Sequence, residues 1–391
     1  MRNGYWVLRA GGCACVRAKL LFLKSAVLAL CRSLRRRAVG VDRGRSATAA
    51  MAFKEFKALQ TLLNASNPGS CAPNSAFVTL VANETYVNGA ICLRKSLQRV
   101  KSACQLELVI ADPLPSDAMS RLSETFGTDR VRSLSDLRRR LDRYEQRALT
   151  KRVHDQEHGE EHGRRLKESG ELKNTRQLTR AGGWARRTHQ KLLLFAMKGY
   201  KKLAFLDIDM LVLRNIDALL EQPAFSAVAA LPYSTSSFNS GVFVFEPSLA
   251  TAASLDDLSQ RATFKPVRPS TDGSPSMIRI RGYGERFALS DQSILNHHYK
   301  SSWRKLPFGY NLGVKVRQVS PKMWNKIELA VIHYVHRPKP WEATLADRES
   351  PMSKLARKLG IEPLTQAWRY RCGVGPKGNG TSEAESRVLF E

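Results

Sequence analysis

The stretch Lys202–Leu213 leaves little freedom in how this chain folds. An apolar run, Leu203-Ala-Phe-Leu206, passes directly into Asp207-Ile-Asp209 and then Met210-Leu-Val-Leu213. Apolar residues without alternation make a strand covered on both faces. Bare carboxylates are costly to bury, so the two acids belong at the carboxyl end of that strand, where open α/β sheets form their ligand crevice. Side chains repeat every second residue along an extended backbone, which aims Asp207 and Asp209 to one side. Two hard oxygen ligands so placed can share a divalent cation, and a cation held there neutralises a diphosphate. The competing structural reading is that Asn215 or Asp217 starts a short helix and Asp207 merely ends the strand.

The neighbouring segments fit around this strand. Ala76–Ala82 reads as a strand, Asn83 and Tyr86 follow it, and a helix runs through Ala90–Leu97; Leu106–Ala111 and Asp117–Phe126 repeat the pair. Strand and helix in alternation imply an α/β fold with a mostly parallel central sheet and helices on both faces. Thr188–Gly199 reads as a helix ended by its glycine, and Phe225–Leu231 as a further strand; the segment Phe238–Phe245 follows, and the apolar run Ala330–His333 closes the core. Two segments break the pattern. Arg138–Gly183 is dense in charge and reads as a solvated helix or a disordered insertion, and 264–286 as a second, basic insertion. His154, His158 and His162 recur every four residues, which a solvent-facing helix explains better than a metal site does. The expected organisation is a basic leader over 1–50, a linker over 51–74, one globular domain over 75–371 and a polar disordered tail over 372–391.

A formal charge of +28 raises nucleic acid as a partner. About ten of those charges lie in the first fifty residues, where Asp42 is the only acid, so much of the bias belongs to the leader. No zinc-finger, RNP or phosphate-loop spacing is present, and no specific nucleic-acid partner is expected. The apolar run Leu20–Cys31 is interrupted by Lys24 and is too short to span a bilayer. It leaves open a signal-peptide core, a transit peptide or an extension upstream of Met51. Seven scattered cysteines form no disulfide framework and read as buried or free thiols in a reducing cytoplasm. Delivery to the Golgi or another organelle by the N-terminal segment is the alternative.

His333 also ends an apolar strand and can approach the same crevice as the acid pair. Alone it reads as a core histidine; beside two carboxylates it becomes a third cation ligand, and imidazole suits Mn²⁺ better than Mg²⁺. Lys339, on a proline-braced turn, offers positive charge to a phosphate. Asn239-Ser240-Gly241 sets an amide beside a glycine that lets backbone or ligand come close.

In this order the segments resemble family 8 glycosyltransferases, and among them the glycogenin-like branch. The matching residues are Phe77-Val-Thr-Leu80 with Asn83 and Tyr86, Lys191, Asp207–Leu213, Asn215-Ile-Asp217, Phe238–Phe243 and Asp291-Gln292. Leu306-Pro-Phe308 with Tyr310-Asn-Leu312, and His333 with Arg337 and Lys339-Pro-Trp341, complete the set. The resemblance implies a GT-A nucleotide-diphospho-sugar transferase fold. It also implies transfer of a hexosyl or hexuronosyl group from a UDP-sugar with retention of configuration. It places Mn²⁺ on Asp207, Asp209 and His333, and the donor nucleotide on Leu80, Asn83, Tyr86, Asp207 and Lys339. Ser240 and Gly241 are further donor-binding residues, and Asn239, Asp291, Gln292 and Lys191 face the donor sugar as the catalytic set. A glycan or small polyol would accept the sugar, and a homodimer is left open.

Three departures from the family pattern stand out. His336 replaces the glycine before the closing arginine, Arg180 is the nearest guess for an arginine expected upstream of Lys191, and Gly313–Ser320 lacks the tyrosine that glycogenin glucosylates. Self-glucosylation and a catalytically silent sugar-nucleotide scaffold are the alternatives to transfer onto a separate acceptor.

Overall fold

The computed structural model describes residues 70–157, 189–231, 234–263, 277–280, 286–288, 290–335, 338–342, 354 and 362–373. The strands are β1 (Ser75–Val81), β2 (Leu106–Ile110), β3 (Val131–Ser133), β4 (Lys202–Leu206), β5 (Met210–Val212), β6 (Ser226–Ala229) and β7 (Phe238–Phe245). After these come β8 (Ala262–Thr263), β9 (Met277–Ile280), β10 (Arg286–Ala288), β11 (Arg304–Leu306), β12 (Leu312–Gly313) and β13 (Val331–His333). A seven-stranded sheet runs in the order β11-β6-β7-β4-β1-β2-β3, with β7 antiparallel to both its neighbours and every other pair parallel. The α/β architecture is therefore the one expected. β4, the acid-pair strand, lies at its centre between β1 and β7.

Burial explains the unbroken apolar run of β4. Ala204 and Leu206 face a core shared with the helices Val87–Arg99 and Ser116–Phe126. Leu203 and Phe205 face the opposite core, built with the helices Leu134–Glu157, Leu249–Arg261 and Asp291–His298. A smaller sheet, β12-β13-β5, packs on a third apolar cluster that includes Trp324, Leu364 and Trp368.

Several expectations need correction. Residues 138–157 belong to a helix, one of the two forms expected of this stretch, but Leu137 and Leu141 enter the core, so it is not solvated all round. The remainder to 183, His158, His162, Arg180 and most of 264–286 lie outside the described residues, as does the side chain of His154. Gln190–Ala196 is a 3-10 turn, and Gly199 (φ 86°) lies three residues beyond it. Lys191, Leu192, Leu194, Phe195 and Ala196 are all buried, which leaves no solvent face for an amphipathic α-helix.

The cysteines differ most from the sequence reading. Cys71 pairs with Cys104 and Cys92 with Cys372, so these four are disulfides and not free thiols. Separations of 33 and 280 residues carry no local signature, which is why spacing did not reveal them. Cys372, assigned to the tail, ends the helix Glu362–Cys372 and is buried.

Candidate active site

The strand ends bring the acids and the histidine together, although not by the extended backbone expected. β4 stops at Leu206, and Asp207–Asp209 turn before β5 begins. β5 pairs antiparallel with β13, His333 opposite Met210, which sets the imidazole beside the preceding Asp209. One ligand atom from each of Asp207, Asp209 and His333 lies within 4.8 Å of the others. His333 Nε2 is 3.1 Å from Asp209 Oδ1 and 3.7 Å from Asp207 Oδ2.

A chain of hydrogen bonds decides how that imidazole presents itself. The Gly241 amide donates to Asn239 Oδ1 at 2.9 Å, which fixes which end of the Asn239 amide is oxygen. That oxygen also accepts from Asn311 Nδ2 at 2.9 Å, so Asn311 Oδ1 is left to accept Nδ1–H of His333 at 2.8 Å. With the proton on Nδ1, the Nε2 lone pair faces the two carboxylates. Two carboxylates and one imidazole so placed could hold a divalent cation. Asn311 is the residue that sequence reasoning missed as a site residue. It stands in the Tyr310-Asn-Leu312 motif, but nothing in the sequence showed its partner.

Gly241 has its own reason. A Cβ there would lie 2.4 Å from His333 Cε1, so the missing side chain makes room for the imidazole. Asp209 is 7% exposed and Lys339 also 7%, and the lysine donates to Asp209 Oδ2 and to the Tyr334 carbonyl. Burial pushes the Asp209 carboxyl up; with no cation in place, a protonated His333 donating from Nε2 and the Lys339 ammonium overcome it and hold the group well below the usual carboxylate range, whereas a bound cation would take the place of the Nε2 proton. Asp207 moves the other way: loss of water and the Asp209 charge raise it against the pull of Lys191.

Lys191 is buried between two acids, 3.2 Å from Asp207 and 2.9 Å from Asp291. It also donates to the Ser240 carbonyl at 3.2 Å and lies 4.5 Å from the centre of the Phe205 ring. Burial alone would lower its pKa; the carboxylates of Asp207 and Asp291 raise it instead, so the ammonium is permanent. Asp291 opens the helix Asp291–His298, where Ser290 caps the Ser293 amide. Gln292 Oε1 accepts from the Asn239 side chain and the Ser240 amide at 3.1 and 3.2 Å.

These groups converge on a cleft of about 950 Å³. It is lined by Leu80, Asn83, Tyr86, Lys191, Asp207, Asp209, Asn239, Ser240, Asp291, Gln292, His333 and Lys339, so every predicted site residue but Gly241 lies on its wall. Asn83 spends its side-chain oxygen on the Thr85 amide and hydroxyl, and Tyr86 meets Trp341 edge to face at 5.9 Å. Arg337 and His336 lie outside the described residues.

Residues 230–344 match the model of Glycosyl transferase family 8. Glycogenin-1 of Mus musculus is 31% identical over 69% of this chain and 66% of its own length. Glycogenin-1 of Homo sapiens is 31% identical over 74% of this chain and 67% of its own, so the chain spans about two thirds of the length of these relatives. The solved structure of the galactosyltransferase LgtC with donor and acceptor sugar analogues covers 79% of this chain and 99% of that one, at 13% identity and a TM-score of 0.44. The mostly parallel central sheet with helices on both faces is consistent with the GT-A fold that the resemblance implies. Identity near 30% sustained over most of the chain, with the family's motifs in their own order around one cleft, places it in glycosyl transferase family 8, on the glycogenin-like branch.

Proposed function

We propose that the protein transfers a hexosyl or hexuronosyl group from a UDP-sugar to a hydroxyl of a separate acceptor, with retention and dependence on Mn²⁺. The observation that carries this reading is the convergence of Asp207, Asp209 and the Nε2 of His333 on the wall of one cleft. A divalent ion held by these three supplies positive charge against the diphosphate. Lys339, 7% exposed and bonded to Asp209, adds a second cation on the same wall and stabilises the charge that develops on the departing UDP.

Lys191 pairs with Asp291 at 2.9 Å and holds it in place. A carboxylate bonded to a buried ammonium is a weakened nucleophile, which supports same-face attack with the leaving phosphate taking the acceptor proton over a covalent glycosyl intermediate on Asp291. Gln292 and Asn239 brace each other on the wall assigned to the donor sugar. Transfer to a separate acceptor follows from the lack of a phenol in Gly313–Ser320 and from the burial of the adjacent Tyr310, which is 1% exposed. No helix among the described residues is long and apolar enough to cross a membrane. The two disulfides support an oxidising compartment over the cytoplasm.

Release of sugar from UDP-glucose, UDP-galactose and UDP-glucuronate, measured with Mn²⁺ and with EDTA, tests this reading. Intact mass of the protein after incubation tests the acceptor assignment. Metal-dependent release without mass gain is the expected result, and a ladder of hexose additions on the chain would show that the protein is its own acceptor.

A further inference from the structure

A second cleft, of about 850 Å³, lies between β3, the start of the helix Leu134–Glu157 and the segment Met197–Lys198. Its wall carries Arg139, Arg140, Arg143, Arg147 and Lys198, with Asp136 as its one acid, already bonded to Arg139. The helix separates its charges by face. Arg138 is satisfied by Asp142, Glu145 and Asp256 on one side, whereas Arg140, Arg143, Arg147 and Lys198 have no ion pair among the described residues. Nη1 of Arg140 is buried without a hydrogen-bond partner. Arg143 and Arg147 stand four apart, so their like charges repel mildly, and an anion lying across them would relieve that repulsion.

The position of this groove matters as much as its charge. Leu80, on the wall of the active-site cleft, is in register with Val109, and Val109 with Arg132, on the wall of the groove. A wall residue of each cleft thus lies two strands apart, roughly 10 Å between backbones, on the same face of the sheet. Guanidiniums in a row match planar or tetrahedral acid groups repeated along a chain. Tyr144 is the one aromatic on the wall, so the groove lacks the successive stacking platforms that single-stranded nucleic acid uses.

We propose that this groove binds an anionic glycan, a chain bearing carboxylate or sulfate groups, and holds it so that a hydroxyl further along reaches the catalytic cleft. The inference rests on the glycosyltransferase reading and specifies its acceptor class.

The test uses the full chain and the variant R140Q/R143Q/R147Q, which keeps good helix-forming side chains and shows by its melting temperature whether the fold is retained. Binding of polygalacturonate, dextran sulfate, neutral dextran, poly(A) RNA and vesicles with anionic lipid is measured at about 150 mM salt, where weak surface attraction is screened. The proposal expects one of the two acidic glycans to bind at least about tenfold tighter than dextran, RNA or vesicles. It also expects that affinity to fall at least about tenfold in the variant and to decline steeply with salt. Equal binding by wild type and variant would place the anion elsewhere, the basic leader included, and would overturn the proposal. RNA or vesicles bound as tightly as the acidic glycans would overturn it as well. UDP-induced thermal stabilisation, measured in both proteins with Mn²⁺, separates the two readings. It stays unchanged in the variant if only the groove assignment fails, and is absent from the wild type if the glycosyltransferase reading fails.

Discussion

Asn311 accepts Nδ1–H of His333 at 2.8 Å and thereby decides which nitrogen faces the acid pair. Replacing it with leucine removes the acceptor and frees the ring to take the other tautomer. Because an outer-shell partner of a histidine ligand contributes about 10- to 100-fold to metal affinity, Asn311→Leu should weaken Mn²⁺ binding by that factor. Titration of Mn²⁺ against purified protein checks it, and Asn311→Asp, which restores an acceptor, should recover much of the loss.

Gly241→Ala should be damaging for a reason unrelated to backbone freedom. The added Cβ would sit 2.4 Å from His333 Cε1 and 2.7 Å from Nδ1, so the ring must move. Overpacking of this kind costs about 1 to 3 kcal/mol. Chemical denaturation should show a loss in that range, together with weaker metal binding. A variant with wild-type affinity for Mn²⁺ would show that the ring has room to spare.

His189 sets a pH dependence. Neither ring nitrogen has a hydrogen-bond partner among the described residues, and burial pulls its pKa below the ordinary value in spite of Asp291 and Asp256 nearby. A depressed folded-state pKa means that the unfolded chain takes up the proton first. The stability tied to neutral His189 is therefore complete above the unfolded value of about 6.5, and is lost as pH falls through the folded value. Relative to His189→Leu, the wild type should lose stability as pH drops from 7.5 to 5, and parallel melting curves across that range would refute the assignment.

The disulfides make a simple chemical prediction. Under denaturing, non-reducing conditions no more than Cys13, Cys15 and Cys31 should titrate as thiols, and all seven cysteines after reduction. Cys372→Ser should destabilise the fold by about 2 to 5 kcal/mol. It unties the helix Glu362–Cys372 from the helix Val87–Arg99, while contacts such as the Lys95 bond to the Cys372 carbonyl, the Trp341–Trp368 pair and the Tyr334 bond to the Leu364 carbonyl remain.

What the sequence revealed and what it hid divide along physical lines. The β4 run was legible because burial on both faces leaves an uninterrupted apolar string, and Asp207, Asp209 and His333 because each stands where such a string ends. Asn311 was not, since a buried amide differs from a loop amide only in what it touches. Lys339 was legible as a positive charge for a phosphate but its bond to Asp209 was not, because sequence shows a charge and not its partner. The cysteine pairs escaped for the same reason, being close only after the chain has folded. Arg139, Arg143 and Arg147 sat in a stretch that composition marked as solvated, and only the packing of Leu137 and Leu141 reveals that one face of that helix borders a groove.

UDP affinity measured calorimetrically in Mn²⁺ and in EDTA, for wild type and for Asp209→Asn, tests most directly that Asp207, Asp209 and His333 hold the ion on which the donor depends. The substitution removes one ligand charge from a site that Lys339 still flanks, so the fold should persist while the metal is lost. Wild type is predicted to bind UDP at least about 100-fold tighter with Mn²⁺ than without, a difference of about 2.8 kcal/mol, and Asp209→Asn to show the weak value in both. Equal UDP affinity in Mn²⁺ and EDTA for the wild type, or an undiminished Mn²⁺ effect in Asp209→Asn, would contradict it.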